Sequence, residues 1–316
     1  MKRAAKKILD SNSILVVSHK RPDGDSIGSQ IGLVLGLKKL KKKVDCLNED
    51  PVPEMFSFLK GRELIKTSFK TQKKTDLIVC LDISNAERAG DNLSSLINGS
   101  GTFTINIDHH VSNEMFGDFN IVDKDASSTS ELVFKLLKAL RVDPDRQIAD
   151  ALLTGIVTDT GSFRYSNVSG ITLKTAADLL DLGGDISNIS TNVYMSKPLS
   201  KVRLASKMLE RIEIIKDKAF SYLLKDDFIK LGAKMEYTDG LVNEILNIDG
   251  INFAVLLTEE SDSFSRMSFR SKSDKYDANL FAGRFNGGGH KFAAGGRLNE
   301  AGISSIKKLK RELKGL

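Results

Sequence analysis

The sequence predicts an α/β protein of two domains, the first with a parallel sheet covered by helices on both faces and the second smaller and of mixed α/β type. In the first half, short apolar runs alternate with segments of helical periodicity, a pattern typical of strands joined by helical crossovers. In the second half, strand-like segments come in neighbouring pairs instead. The chain has 316 residues, enough for two domains. We place these domains at residues 1–190 and 201–316, with a linker at 191–200.

Four apolar runs in the first half have the length and composition of buried strands. They are ILVVS (14–18), VDCLN (44–48), DLIVCLD (76–82) and TFTINID (102–108). Segments with helical periodicity are found at residues 26–40, 131–140 and 146–157. Because strands linked by helices run parallel, their carboxyl ends should meet at one edge of the sheet, where ligands gather.

The second half begins with further helix-like segments at residues 171–183 and 199–210, the latter opened by Pro198. Residues 211–225 have the pattern of a β-hairpin. Two more strand-like segments follow at residues 251–260 and 263–272. These elements predict the smaller, mixed α/β domain.

The net charge of +6 and the pI of about 9.1 indicate an anionic partner. Spread over this length, the excess of charge is too small for a protein that coats long nucleic acid. The lysine-rich runs at residues 38–43 and near the C-terminus have leucines at helical spacing, so we interpret them as solvated helix faces.

Cys46 and Cys80 lie in strand-like segments without CxxC spacing, which indicates buried thiols in a reducing compartment. The N-terminal residues lack the apolar stretch of a signal peptide, and no run has membrane length. We therefore expect a cytoplasmic protein that does not interact with a membrane.

Histidines and aspartates occur where the predicted strands and helices end. They are His19, Asp23, Asp25, Asp82, Asp108, His109, His110 and Asp159. Taken singly, each has an ordinary structural explanation, since aspartates form turns and helix N-caps and adjacent histidines can be one core and one exposed residue. Together they include three of the four histidines of the chain, at ends that should converge. This convergence favours a functional site.

Carboxylates and imidazoles together suit a divalent ion such as Mn²⁺, Mg²⁺ or Zn²⁺, and the mixture of nitrogen and oxygen donors favours manganese. With so many donors, one carboxylate can bridge two ions that activate water between them. Such a pair of ions is suited to the hydrolysis of phosphate esters.

The segments that carry these residues resemble the motifs of the DHH phosphoesterase superfamily, and they occur in the order found in that family. The segments are HKRPDGDS (19–26), LDIS (81–84), IDHH (107–110) and TDTGSF (158–163). In addition, NGGGHKFAAGG (286–296) resembles the signature of the DHH-associated domain that covers the active site. The resemblance implies an active site in the cleft between the two domains.

The resemblance also implies the ligands of two divalent ions, Mn²⁺ above all, with Mg²⁺ or Co²⁺ as alternatives. One ion would be held by His19, Asp23 and Asp82, and the second by Asp25, His109 and Asp159, with Asp82 as the bridge. Among the catalytic residues, His110 would face the substrate phosphate and donate a hydrogen bond or a proton. Asp108 would orient a ligating imidazole.

The glycine-rich segment has two interpretations. Gly288, Gly289 and His290 could present backbone N–H groups to a phosphate in a concave turn, and the following KFAAGG could start a helix whose N-terminus favours an anion; a glycine run is otherwise a flexible loop. Arg270 resembles the phosphate-holding arginine of the family, although an arginine on an edge strand can also be simply exposed. Phe292 could stack on a base or contribute to packing.

Within the superfamily, the domain pair and the length are most similar to the nanoRNase/pAp phosphatase branch, which acts on short oligoribonucleotides (nanoRNA), pApA and 3′-phosphoadenosine 5′-phosphate (pAp). Relatives specific for pApA or cyclic di-AMP share this architecture and remain an alternative. The inorganic pyrophosphatases and the exonuclease RecJ fit less well. A third possibility is a nucleotide-binding regulator without turnover. Relatives also suggest a homodimer.

Overall fold

A computed structural model describes residues 1–67 and 75–316. The chain divides into two units, Met1–Ser196 (unit 1) and Lys197–Leu316 (unit 2). The division falls inside the stretch proposed as a linker, whose bounds remain a prediction. In the described part of the chain, no helix combines the length and the apolar character that crossing a bilayer requires.

Unit 1 is built around a six-stranded parallel sheet in the order β3-β2-β1-β4-β5-β6. Its strands are β1 (Ser13–Val17), β2 (Lys43–Leu47), β3 (Ile65–Lys66), β4 (Leu77–Leu81), β5 (Thr104–Asp108) and β6 (Phe119–Val122). Its helices are α1 (Lys2–Asp10), α2 (Gly24–Lys39), α3 (Asp91–Gly99), α4 (Thr129–Ala139), α5 (Arg146–Asp159), α6 (Gly170–Asp181) and α7 (Ile186–Ser190). The predicted parallel sheet is confirmed, whereas the sequence did not indicate the short edge strands β3 and β6.

Both faces of this sheet are covered by helices, as predicted. Ile14 and Val16 of β1 belong to the larger apolar core, which includes residues of α2, α4 and α5. Leu15 and Val17 point to the opposite face, where they pack with residues of α3. The alternation of side chains along a strand thus places every second residue of β1 in a different core.

Helices α2 and α5 approach each other closely because α2 has glycine at the contact. A Cβ atom at Gly28 would lie 2.3 Å from the carbonyl oxygen of Ala151 and 3.0 Å from the backbone nitrogen of Gly155. A Cβ atom at Gly24 would lie 2.3 Å from Thr158 Oγ1. Glycine therefore allows this backbone approach, and the start of α2 lies beside the end of α5.

Unit 2 contains a six-stranded mixed sheet in the order β11-β12-β10-β9-β8-β7, in which only β8 and β9 are parallel. Its strands are β7 (Glu213–Ile215), β8 (Lys218–Leu223), β9 (Phe253–Ser261), β10 (Phe264–Ser271), β11 (Gly288–His290) and β12 (Ala293–Leu298). Its helices are α8 (Leu199–Glu210), α9 (Lys225–Leu231), α10 (Leu241–Leu246), α11 (Ala278–Gly283) and α12 (Gly302–Lys314). The predicted mixed α/β character and the hairpin β7–β8 are confirmed.

The prediction that KFAAGG starts a helix was wrong. Its last four residues belong to β12, which pairs with β10 on one side and with β11 on the other. Gly288 and Gly289 belong to β11 rather than to a concave turn, and Gly289 donates its backbone N–H to Asn279 Oδ1 over 2.8 Å. A Cβ atom at Gly287 would lie 2.1 Å from the carbonyl oxygen of Gly295. The secondary structure of this segment is thus determined by pairing between strands, which local composition does not reveal.

The contact between α2 and α5 predicts that Gly28→Ala destabilises the protein. The added methyl group must push the two helices apart, which should lower the free energy of unfolding by roughly 1–3 kcal/mol. Urea unfolding followed by circular dichroism measures this change. Gly99→Ala in α3 is the matched control, because a Cβ atom there meets no heavy atom within 4 Å. Equal unfolding midpoints for the two variants would contradict the proposed packing constraint.

Candidate active site

Polar residues at the ends of three neighbouring strands lie together at the carboxyl edge of the parallel sheet. Strands β1, β4 and β5 are adjacent in the sheet. His19 follows β1 by two residues, Asp82 follows β4 directly, and Asp108 is the last residue of β5. Because the strands are parallel, all three lie at the same edge.

The first group of possible metal ligands consists of His19, Asp23 and Asp82, whose ligand atoms lie within 4.8 Å of one another. His19 Nε2 is 3.5 Å from Asp82 Oδ2 and 3.7 Å from Asp23 Oδ1. The other ring nitrogen, Nδ1, is 2.9 Å from the carbonyl oxygen of Lys20. A proton on Nδ1 therefore fixes the ring and leaves Nε2 available as a ligand.

Asp23 also has the structural role that its sequence context suggests. It is the N-cap of α2, and its Oδ1 accepts hydrogen bonds from the backbone N–H groups of Asp25 and Ser26. The side chain is nevertheless 58% exposed and borders His19. Helix capping and a place in the ligand group are therefore compatible at this residue.

The second group consists of Asp25, His109 and Asp159, whose ligand atoms also lie within 4.8 Å of one another. His109 Nε2 is 3.2 Å from Asp159 Oδ2 and 3.9 Å from Asp25 Oδ2. Asp25 lies in the first turn of α2 and Asp159 is the last residue of α5. The close approach of these two helices thus brings the two carboxylates beside His109.

Asp82 borders both groups through different oxygens. Its Oδ2 lies 3.5 Å from His19 Nε2, and its Oδ1 lies 3.6 Å from His109 Nε2. The residue is 2% exposed. Its backbone has φ of +61°, a left-handed conformation that is uncommon for residues other than glycine and is often found at functional sites.

The two ligand groups together form one cluster of His19, Asp23, Asp25, Asp82, His109 and Asp159. This cluster concentrates negative charge in a largely buried place. Burial raises the pKa of both Asp25 and Asp159 well above the usual value, and neighbouring carboxylates raise it further. Burial alone lowers the pKa of His19, but the carboxylates of Asp23 and Asp82 outweigh this effect and raise the pKa to about 10. The cluster therefore favours added positive charge, and its oxygen and nitrogen donors fit divalent cations.

The imidazole of His110 is hydrogen-bonded to Asp108, and its Nδ1 also lies 3.6 Å from Asp82 Oδ1, in a further group of possible ligands that contains Asp82, Asp108, His109 and His110. His110 Nδ1 lies 2.6 Å from Asp108 Oδ1, which also accepts the backbone N–H of His109 over 2.8 Å. Burial lowers the pKa of His110, but the bond to Asp108 and the charge of Asp82 outweigh it, so the pKa is raised. The sequence had suggested that Asp108 orients a ligating imidazole, but its side chain pairs with the ring of His110.

Two further residues, not recognised in the sequence, form hydrogen bonds that fix the carboxylates of Asp108 and Asp25. Asn113 Nδ2 donates to Asp108 Oδ2 over 2.6 Å. The backbone N–H of Thr129, the first residue of α4, donates to Asp25 Oδ2 over 2.6 Å. The only signal for Thr129 is the run of small hydroxyl residues at 127–130, which is also what an ordinary helix N-terminus looks like.

The predicted substrate-binding residues Arg270, Gly288, Gly289 and His290 lie in unit 2. In the sheet register His290 is opposite Ala293, and Ala293 is opposite Arg270. Directly opposed residues share a face of the sheet, so Arg270 and His290 lie on the same face, on either side of a small residue. Phe292 is 48% exposed, which leaves open both stacking on a base and packing.

Two family models match the chain. The model described as the DHH family, N-terminal domain, matches residues 13–156, and the model of the DHHA1 domain matches residues 219–315. The Bacillus subtilis protein named bifunctional oligoribonuclease and PAP phosphatase NrnA is 32% identical over 288 residues, which are 90% of this chain and 88% of that protein. A solved structure of an exopolyphosphatase-related protein from Bacteroides fragilis is 30% identical, with a TM-score of 0.92 over 99% of this chain and 95% of that chain.

This chain spans only about half the length of two more distant relatives. The cyclic-di-AMP phosphodiesterase GdpP of Geobacillus thermodenitrificans is 25% identical over 96% of this chain, which spans 47% of that protein. The structure of RecJ in complex with Mn²⁺ from Thermus thermophilus is 15% identical and has a TM-score of 0.59 over 99% of this chain and 54% of that chain, a likeness of fold alone.

The resemblance inferred from the sequence motifs is thus confirmed by both family models and by similarity along nearly the whole chain. The strand-end residues of unit 1 lie within the first matched segment, Asp159 at the end of α5 lies just beyond it, and the GGGH segment lies within the second. The chain belongs to the DHH family and carries a DHHA1 domain.

Proposed function

We propose that this protein is a Mn²⁺-dependent phosphoesterase that hydrolyses short oligoribonucleotides, including pApA, to mononucleotides and removes the 3′-phosphate of pAp. The observation that carries the proposal is that Asp82, a member of one three-residue ligand group, also lies beside His109 of the other. The similarity to the bifunctional oligoribonuclease and PAP phosphatase of Bacillus subtilis supports this choice of substrates.

In this proposal, His19, Asp23 and Asp82 hold one ion, and Asp25, His109 and Asp159 hold the other. Asp82 is shared, because its two oxygens face histidines of different groups. The mixture of carboxylates and imidazoles favours Mn²⁺, with Mg²⁺ or Co²⁺ as substitutes. When bound, such a pair of ions supplies an activated water and offsets negative charge on the phosphoryl group.

His110 is suited to act on the leaving oxygen. Its Nδ1–H donates to Asp108 Oδ1, so the ring keeps one tautomer and Nε2 is left to hold or transfer a proton. Asn113 holds the other oxygen of Asp108. We propose that His110 Nε2 donates a hydrogen bond or a proton to the substrate as charge develops there.

Arg270, Gly288, Gly289 and His290 are proposed to bind the substrate. The planar guanidinium of Arg270 can hold two phosphate oxygens at once. His290 lies on the same face of the sheet and is exposed, so it can contact the same ligand. Gly288 and Gly289 are exposed on β11, where the absence of side chains allows a phosphate to come close even though the Gly289 N–H is donated to Asn279.

A second candidate is a phosphodiesterase specific for cyclic di-AMP or pApA. It is favoured by the similarity to two cyclic-di-AMP phosphodiesterases, which are 25% and 24% identical to this chain. A nucleotide-binding regulator without turnover is less well supported, because such a protein has no need for two complete ligand groups.

A substrate panel tests the proposed function. With Mn²⁺, we expect the purified protein to release AMP from pAp and pApA and mononucleotides from a five-nucleotide RNA, because the ligand groups fit a pair of ions that attack phosphate esters. Product chromatography measures the rates, and addition of EDTA is the control. Faster hydrolysis of cyclic di-AMP would favour the second candidate, while preference for pyrophosphate or binding without turnover would contradict both.

Asp82→Asn should reduce kcat by at least about 100-fold, since loss of residues that only orient metal ligands already costs up to about that much. Asparagine keeps the shape of the side chain and tolerates the left-handed backbone at this position. Asp10→Asn at the exposed end of α1 is the matched control. Near-normal turnover of Asp82→Asn on pApA would show that Asp82 is not a shared ligand.

Arg270→Ala and His290→Ala should each raise KM for pApA about tenfold or more with a smaller change in kcat, because each removes a charge-assisted contact to phosphate. Steady-state kinetics measures both constants. Arg311→Ala on the exposed face of α12 is the control for loss of positive charge. Unchanged KM values for both variants would mean that these residues do not bind the substrate.

A further inference from the structure

The N-terminal end of α4 is directed at the buried carboxylates of the cluster. Asp25 accepts two backbone hydrogen bonds there, from Thr129 N to Oδ2 over 2.6 Å and from Ser130 N to Oδ1 over 2.8 Å. Both oxygens of this fully buried carboxylate are therefore held by the first turn of the helix. The positive end of the helix dipole offsets part of its charge.

The side chain of Thr129 extends this arrangement to the other ligand group. Thr129 Oγ1 donates to Asp82 Oδ1 over 3.1 Å, and Thr129 itself is completely buried. One residue thus contacts Asp25 of the second group through its backbone and Asp82 of the first group through its hydroxyl. These two like-charged carboxylates repel each other, so their relative position must be fixed by other contacts.

The hydroxyl of Thr129 does not cap helix α4. The N-cap of α4 is Ser128, whose Oγ accepts the backbone N–H of Glu131 over 3.2 Å. The Thr129 hydroxyl points instead to Asp82, whose backbone is in a left-handed conformation and whose Oδ1 also faces His109. A hydrogen bond at this oxygen restricts the rotation of the carboxylate.

We propose that Thr129 is a positioning residue that sets the orientation of Asp82 relative to Asp25 and so prepares both ligand groups for divalent cations. This inference rests on the proposed function and names a residue outside the predicted ligand set. Its consequence is that the hydroxyl contributes to the affinity for metal ions, while the fold depends mainly on the backbone and on the methyl group of the residue.

Two comparisons isolate the hydroxyl: the unmodified protein with Thr129→Val, and Thr129→Ser with Thr129→Ala. Thr129→Val replaces the hydroxyl of threonine by a methyl group of similar size, and Thr129→Ala differs from Thr129→Ser only in lacking the hydroxyl. All four proteins keep the backbone N–H that binds Asp25. Thr154→Val is the matched control, because Thr154 is equally buried and its Oγ1 donates only to the carbonyl oxygen of Asp150 in α5.

The affinity for Mn²⁺ is measured from the electron paramagnetic resonance signal of the free ion during titration of the full chain. Thermal unfolding in EDTA measures the stability of the metal-free protein in parallel. We expect Thr129→Val to weaken binding of Mn²⁺ about 10- to 100-fold, the usual effect of removing a group that orients a metal ligand. Thr129→Ser should bind much more tightly than Thr129→Ala, and Thr154→Val should bind like the unmodified protein.

The result that overturns the inference is equal affinity within both pairs while the unmodified protein binds Mn²⁺. A merely structural role would lower the unfolding temperature in EDTA without changing the affinity of the folded protein, and this also overturns it. If Thr129→Val fails to fold, the comparison of Thr129→Ser with Thr129→Ala gives the same answer. Absence of Mn²⁺ binding by the unmodified protein would instead contradict the proposed function itself.

Discussion

The repulsion between carboxylates at the carboxyl edge of the parallel sheet is the constraint on which the rest of the site depends. Asp25, Asp82 and Asp159 lie close together, and burial together with the neighbouring carboxylates raises the pKa of Asp25 and of Asp159. The fold tolerates this arrangement because imidazoles and hydrogen-bond donors surround it. Two imidazoles lie between the carboxylates, and a helix N-terminus faces Asp25. In such a site, bound cations would offset the repulsion between the carboxylates.

The helices of unit 1 pack against one another and also position the carboxylates of the site. Without Cβ atoms at Gly24 and Gly28, α2 can lie against α5, and the carboxylates at the facing ends of these helices meet His109. A Cβ atom at Gly155 would lie 2.7 Å from Asp25 Oδ1, so glycine on α5 is also required for this carboxylate to fit. Packing and function are therefore coupled, because the space that admits Asp25 is made by the same close contact that stabilises the domain.

The features of the site that follow from strand topology could be predicted from the sequence, because apolar runs with polar ends imply a parallel sheet and its functional edge. The roles of Asn113 and Thr129 could not be predicted, since a polar turn and a helix N-terminus have the same composition whether or not they hold a ligand. The helix expected after His290 was wrong for a similar reason: alanine favours a helix and glycine disfavours it, so composition alone does not decide, and pairing with β10 and β11 made the segment a strand. The edge strand β3 has only two residues, too few for a periodic pattern.

The central claim is that two cations bind side by side with Asp82 between them. Anomalous diffraction at the manganese absorption edge, from crystals grown with Mn²⁺, tests it most directly. We expect two peaks about 3.5–4 Å apart, one beside His19 and the other beside His109, with an oxygen of Asp82 near each. A single peak, two distant peaks or no peak at this edge of the sheet would contradict the account.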